Sequence, residues 1–326
     1  MNEKPGNSPG LEGKNAPPAP QLVANPELSP GGRAWRRFRR NKPAVLSLGF
    51  FSMIVLLVVL WPMITPYAPD AISDSQLQPP TRQHWFGTDA NGRDLLSRVL
   101  FGARVSLLVG IVGAGVAFVI GVTWGSVAGY VGGRIDALMM RFVDILYTLP
   151  SIIFVIVLLT ALGSVGKRWA TQHFGPGAAA MTPMVLLFVG LGAVSWLTMA
   201  RIVRGQVLSL RTRAFVDASR SLGASHVRIL WRHILPNVWG IVIVYLTLTV
   251  PSVMLYESFL SFLGLGIQPP MASWGSLVAE GAAQLNPIAI HWWLPVFPSV
   301  LLVSTLLSLN FLGDGLRDAL DPRGDR

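Results

Sequence analysis

The sequence predicts an all-α integral membrane protein with six transmembrane helices, and three observations carry the prediction. Only 13% of its 326 residues are Asp, Glu, Lys or Arg, while 52% are hydrophobic; a soluble domain carries roughly a quarter charged residues. Six apolar segments, near residues 44–64, 105–130, 142–163, 184–204, 238–263 and 292–313, are each long enough to cross roughly 30 Å of hydrocarbon. With the N-terminus inside, the cytoplasmic pieces hold 20 of the 26 Lys and Arg and the external pieces 6. That asymmetry places both termini in the cytoplasm.

The net charge of +10 does not indicate nucleic acid as a partner. The arginines sit at the edges of apolar segments, not among exposed aromatics as in a nucleic-acid reader. Cysteine is absent, which excludes a disulfide framework and a thiolate metal site. The five histidines are scattered and form no ligand pair at helical spacing.

In chain order, residues 1–33 are rich in Pro, Gly, Asn and Ser and read as a disordered cytoplasmic tail. Residues 34–64 combine the basic stretch Trp35-Arg36-Arg37-Phe38-Arg39-Arg40-Asn41-Lys42 with the first span. Two readings of the basic stretch stand side by side: an interfacial helix on anionic membrane lipid and a positive-inside stop. Residues 65–103 form an external loop, 104–313 hold the other five spans, and 314–326 return to the cytoplasm. Gly110, Gly113, Gly115, Pro150, Gly190, Gly192, Pro251, Pro295 and Pro298 fall within or beside the spans, the texture of closely packed helices in lipid. Asp144, just inside the third span, and Glu257, toward the outer end of the fifth, are the ionisable residues that matter there. A charge in lipid costs on the order of 3 kcal/mol by insertion scales, so both are substrate-path candidates. Their positions near span ends leave a structural role open as well.

The polar loop at 206–237 has its own helical pattern. Phe215, Ala218 and Leu222 share one face of a first short helix, and Gly223 supplies the left-handed residue that ends it. Ser225 is placed to cap a second helix, His226 to Leu235, with Val227, Leu230 and Ile234 as its apolar stripe. Pro236 is expected to stop that helix before the fifth span. Such a helix, held along the membrane, suits a groove in a cytoplasmic partner. Spacing alone leaves open a simple interfacial helix that only packs on lipid heads.

These residues resemble the E-A-A…G…I-x-L-P signature of permease subunits of binding-protein-dependent ABC importers. Asp217, Ala218, Gly223, Leu235 and Pro236 fall on its positions; Asp217 stands for Glu, Ser219 for the second Ala, and Ile234 is displaced by one. Phe86-Gly87-Thr88-Asp89 with Gly92-Arg93-Asp94, Ser261-Phe262-Leu263-Gly264-Leu265-Gly266 with Trp274-Gly275, and Gly313-Asp314-Gly315-Leu316-Arg317-Asp318 narrow the likeness to dipeptide and oligopeptide permeases of the C type. The resemblance covers the chain from about residue 33 onward.

It implies a type I ABC importer permease fold, a homologous B-type permease as partner, two ATPase subunits, and an external solute-binding protein. It also implies an ATPase-coupling role for Phe215, Asp217, Ala218, Leu222, Gly223, Leu235 and Pro236. Gly264 and Gly266 are expected in tight turns, and Arg93 and Arg98 are expected to fix an external loop. A nucleotide loop needs G-x4-G-K-[ST]. Lys14 and Lys167 follow a glycine, Gly13 and Gly166, but Asn15 and Arg168 come after them where Ser or Thr is needed. ATP and Mg are therefore expected on the ATPase partners, with no cofactor, metal or catalytic residue on this chain. The competing class, a secondary transporter or channel, predicts several coupling charges within the spans. A non-transporting scaffold is a third reading.

Overall fold

The computed structural model describes residues 30–269, 271–287 and 289–320. Among them are twelve helical elements and no strand beyond two isolated bridges. Six helices are long and apolar enough to cross a membrane. Residues 1–29 of the predicted 1–33 tail and residues 321–326 lie outside the described part.

The first helix, α1 (Pro30–Arg40), starts inside the predicted tail. Trp35 stacks on Phe38, which is buried against the far end of the chain. Asn41 caps α2 (Lys42–Ile64) by accepting the N–H of Ala44. α3 (Leu95–Val131) begins ten residues before the predicted second span. Asp94 caps it, and Ser97 and Arg98, assigned above to the external loop, lie in its first turn, buried and paired.

The predicted third span is divided into α4 (Gly133–Thr148) and α5 (Ser151–Phe174). Pro150 lacks an N–H for the helix ladder, and the residue before a proline is pushed to extended backbone; Leu149 sits at φ −80°, ψ 129°. α6 (Pro176–Leu210) is longer at both ends than the predicted fourth span, so residues 206–210 belong to it.

α7 (Ala214–Ser221) and α8 (His226–Ile229) follow, then one π turn (Leu230–Ile234) that leads without interruption into α9 (Leu235–Phe262). Pro236 therefore does not stop a helix: it lies in the first turn of α9. The π turn absorbs it, because Leu235 N–H bonds back to Leu230 C=O and the proline needs no partner in that register. After α10 (Trp274–Ala283), α11 (Trp293–Leu320) runs beyond the predicted sixth span through the Gly313-Asp314-Gly315 segment.

α3 and α6 form the central pair and run parallel, since Gly121, Gly125 and Gly129 meet Met199, Ala200 and Arg204 in ascending order; α9 packs on both, α5 on the outer side of α6, and α2 with α11 on the far side of α9 and α3. The close approach of α3 to α6 comes from Gly121, Gly125 and Gly129, one helical turn apart. A Cβ at Gly125 would overlap the carbonyl oxygen of Ala200, and one at Gly129 would meet that of Arg204 at 2.8 Å. Helix association in lipid rests on such packing. Gly125→Leu is therefore expected to abolish recovery of monodisperse protein in mild detergent, whereas Gly49→Leu, where no atom lies within 4 Å, is expected to be neutral. Size-exclusion chromatography checks both.

Both ends of the described chain meet at one end of the bundle: Gly315 packs on Ala44 and Phe38, and Asn41 Nδ2 donates to Asp318 at 3.3 Å. The 206–237 loop lies at this same end. At the other end, Phe86 stacks on Phe297 at 4.0 Å and Trp293 Nε1 donates to Thr88 C=O. That pins the 65–94 loop across the start of α11. Arg93 and Arg98 do fix this loop. Arg98, 3% exposed, bridges Asp89 at 2.7 Å and Glu280 of α10 at 2.5 Å, while Arg93 Nε reaches Asp89 at 2.7 Å. Gly264 turns the chain at φ +77°. Gly266 instead allows close approach, because a Cβ there would strike Ser261.

Candidate functional site

The local sequence of α7 determines its shape at both ends. Leu222 N–H bonds to Ala218 C=O, Gly223 N–H to Arg220 C=O at 2.9 Å, and Ala224 N–H to Ser219 C=O at 3.1 Å. The last two are the paired bonds of a Schellman motif, and they require Gly223 at its φ of +80°. Ser225 then caps α8 by accepting the N–H of Arg228.

Anchoring comes from residues that the linear pattern did not single out. Val216 and Ile229, both fully buried, join Leu230, Ile234 and Leu235 in a core shared with Val122 of α3, Met199, Val203 and Val207 of α6, and Val238 of α9. Their signal was present but ambiguous: each is one apolar residue beside an exposed one on a short amphipathic turn. Arg211 Nη1 donates to the carbonyls of Gly129 and Tyr130, capping the C-terminus of α3, and Tyr130 Oη hydrogen-bonds His226 Nδ1 at 2.9 Å.

The predicted residues divide accordingly. Phe215 (40% exposed), Asp217, Ala218, Leu222 (87% exposed) and Gly223 form the outward surface of α7 and its cap. Asp217 Oδ1 accepts from Arg220 at 3.4 Å, a surface pair one turn apart. Leu235 is buried in the shared core and Pro236 is exposed in the first turn of α9. Val227, expected on the inner stripe of α8 with Leu230 and Ile234, points outward instead and is 68% exposed. Ile229 takes its place inside because the π turn shifts the helical phase. A cleft of about 800 Å³ separates α7 and α8 from the end of α3, lined by Tyr130, Arg211, Asp217, Arg220 and His226.

The two path candidates have different surroundings. Asp144 lies on α4, largely exposed, in an ion pair with Arg201 at 2.7 Å, and the Arg201 guanidinium stacks on Tyr147. Glu257 is fully buried. It accepts from Ser261 at 2.6 Å and from Ser106 and Ser258 at 3.4 Å, while Ser106 Oγ also receives the N–H of Trp274. These bonds tie α9 to α3 and to the start of α10. The Arg204–Asp136 pair (2.5 Å) between α6 and α4 is a further tie that its separation of 68 positions in sequence concealed.

A six-span helical bundle with a short exposed helix rooted in its core at one end places the chain in the class of polytopic helical membrane proteins. The family profile described as "Binding-protein-dependent transport system inner membrane component" matches residues 121–326. One described as "N-terminal TM domain of oligopeptide transport permease C" matches residues 29–80. The chain belongs to this family of binding-protein-dependent inner-membrane permeases, in its C-type branch. It is 47% identical over 293 residues to the oligopeptide transport system permease protein OppC of Escherichia coli K12, covering 89% of this chain and 90% of that protein. With its namesake from Haemophilus influenzae it shares 46% over 293 residues, covering 89% and 88%. The dipeptide transport system permease protein DppC of Bacillus subtilis is 43% identical over 303 residues, covering 92% and 88%.

Proposed function

We propose that this chain is the C-type permease subunit of an ATP-driven importer that moves peptides, foremost oligopeptides, across a bacterial cytoplasmic membrane. It forms half of the translocation path beside a homologous B-type permease. It receives peptide from an external solute-binding protein and is driven by two cytoplasmic ATPase subunits, which hold the ATP and Mg. Both termini and the 206–237 loop face the cytoplasm, in keeping with the distribution of Lys and Arg.

The observation that carries this reading is α7 itself: an exposed face of Phe215, Asp217, Ala218 and Leu222 on a helix whose cap and root are both locked. A flexible loop would absorb a push, whereas this one passes it on. Val216 shares its core with α3, α6 and α9, so displacement of α7 by closing ATPases shifts those three helices together as a rigid-body step. Asp144 and Glu257 remain path candidates under this reading, Glu257 through its position on the α3–α9 contact.

Pull-down of the tagged chain in mild detergent, with ATPase assay and mass spectrometry of what accompanies it, tests the proposal. Wild type is expected to bring a second permease and ATP-hydrolysing subunits. Asp217→Arg reverses a charge on the exposed face of α7 without touching its core, so it is expected to insert normally and to lose the ATPases. Recovery of wild type as a lone chain would count against coupling and favour the secondary-transporter class.

A further inference from the structure

A second cavity, of about 340 Å³, lies where the end of α5, the start of α6 and the segment after α9 converge. It is remote from the coupling surface: Met184 precedes Leu210 by 26 residues on α6, about 39 Å at the helical rise. Its wall is mainly apolar, with Met181, Met184, Met271, Ile267 and Pro183, and Gln268 and Lys167 are its polar members.

Two features of this lining point to a ligand. Three methionines on one wall give a surface that re-shapes around different partners, because the thioether chain is unbranched and polarisable. Lys167 is exposed, and its ammonium makes no ion pair or hydrogen bond among the described residues. The cleft on the other side of Pro269 is different: its Arg93 and Arg98 are already bound by Asp89 and Glu280. An adaptable apolar pocket with an uncompensated cation at its mouth fits a group that is apolar in body, variable in shape and anionic at one end.

Resting on the peptide-import reading, we infer that this pocket receives the C-terminal residue of the transported peptide, with the side chain among Met181, Met184 and Met271 and the carboxylate facing Lys167. A phospholipid or fatty acid shares the apolar-plus-anion chemistry. The peptide is favoured because a lining that adapts suits variable side chains, whereas acyl chains are uniform.

The test uses the assembled importer in liposomes and a short peptide ending in p-benzoylphenylalanine with a free carboxylate, beside its amide twin; benzophenone inserts readily into methionine. Illumination is expected to label Met181, Met184 or Met271. Labelling is expected to be about ten-fold weaker for the amide and in Lys167→Gln, the loss of one charge-assisted hydrogen bond, and Lys167→Arg is expected to restore it. ATP-dependent uptake combined with labelling elsewhere, or with labelling unchanged in Lys167→Gln, overturns the pocket alone. So does native mass spectrometry that finds a lipid held at this site which peptide does not displace. Absence of ATP-dependent uptake of any peptide by wild type overturns the import reading and the pocket with it.

Discussion

Gly223→Pro is expected to abolish ATP-dependent peptide uptake while leaving the protein inserted and monodisperse. At φ +80° the position is closed to proline, whose ring holds φ near −65°. The substitution also removes the N–H that bonds Arg220 C=O, and it drives Leu222 away from its near-helical backbone. Together these cost about 3 kcal/mol or more within the loop, which reduces the locked conformation on the order of a hundred-fold. The loop lies outside the spans, so the bundle survives. Gly223→Ala separates backbone strain from disruption. Space around the glycine is open, with no atom within 4 Å of an added Cβ, so only the left-handed penalty of roughly 1–2 kcal/mol remains. Uptake should fall about ten-fold, not vanish. Uptake and ATPase rates in reconstituted liposomes check both variants. Equal activity of Gly223→Pro and wild type would remove the rigid-loop account.

Among side-chain truncations, a large effect on stability is expected at the opposite end. Arg98 is nearly inaccessible, and it joins the 65–94 loop to α10 through Asp89 and Glu280. Truncation to alanine leaves the Asp89 carboxylate, 5% exposed, with a buried charge only partly met by Arg93 and by the N–H groups of Asn91 and Arg93. Breaking a buried pair costs about 3–5 kcal/mol, and the remaining donors place Arg98→Ala near the lower bound. Arg93→Ala should cost clearly less, because the Arg93 side chain is more exposed and Arg98 stays on Asp89. Thermal unfolding in detergent is the measurement. Similar losses in the two variants would mean that burial of Arg98 is not what stabilises this loop.

What was legible in the sequence follows from how far apart the cooperating residues lie. Gly223 and Ser225 were readable because a helix cap is a local demand that few residue types meet. The six spans were readable because lipid requires about twenty apolar residues in a row. The start of α3 was not, since Ser97 and Arg98 are polar and their burial depends on Asp89 and on Glu280, 182 positions away. Pro236 was misread for the opposite reason. Proline can end a helix or begin one, and only the π turn before it reveals which. Pro150 was noticed but taken as tolerated within a span, where in fact it divides α4 from α5. Of the candidate site, the exposed face was visible as a helical stripe. Its root, Val216 and Ile229, was not, because two short turns offer too few residues to tell an inner from an outer apolar face.

Coupling as proposed requires α7 to dock into an ATP-hydrolysing partner. Its most direct test is a photoreactive side chain at position 222, where Leu222 is 87% exposed, in the membrane-embedded transporter. A cross-link to an ATPase subunit is expected, with a yield that changes when nucleotide is bound and that is lost in the Gly223→Pro background. A cross-link to lipid alone, indifferent to nucleotide, would contradict the docking and make this helix an interfacial linker.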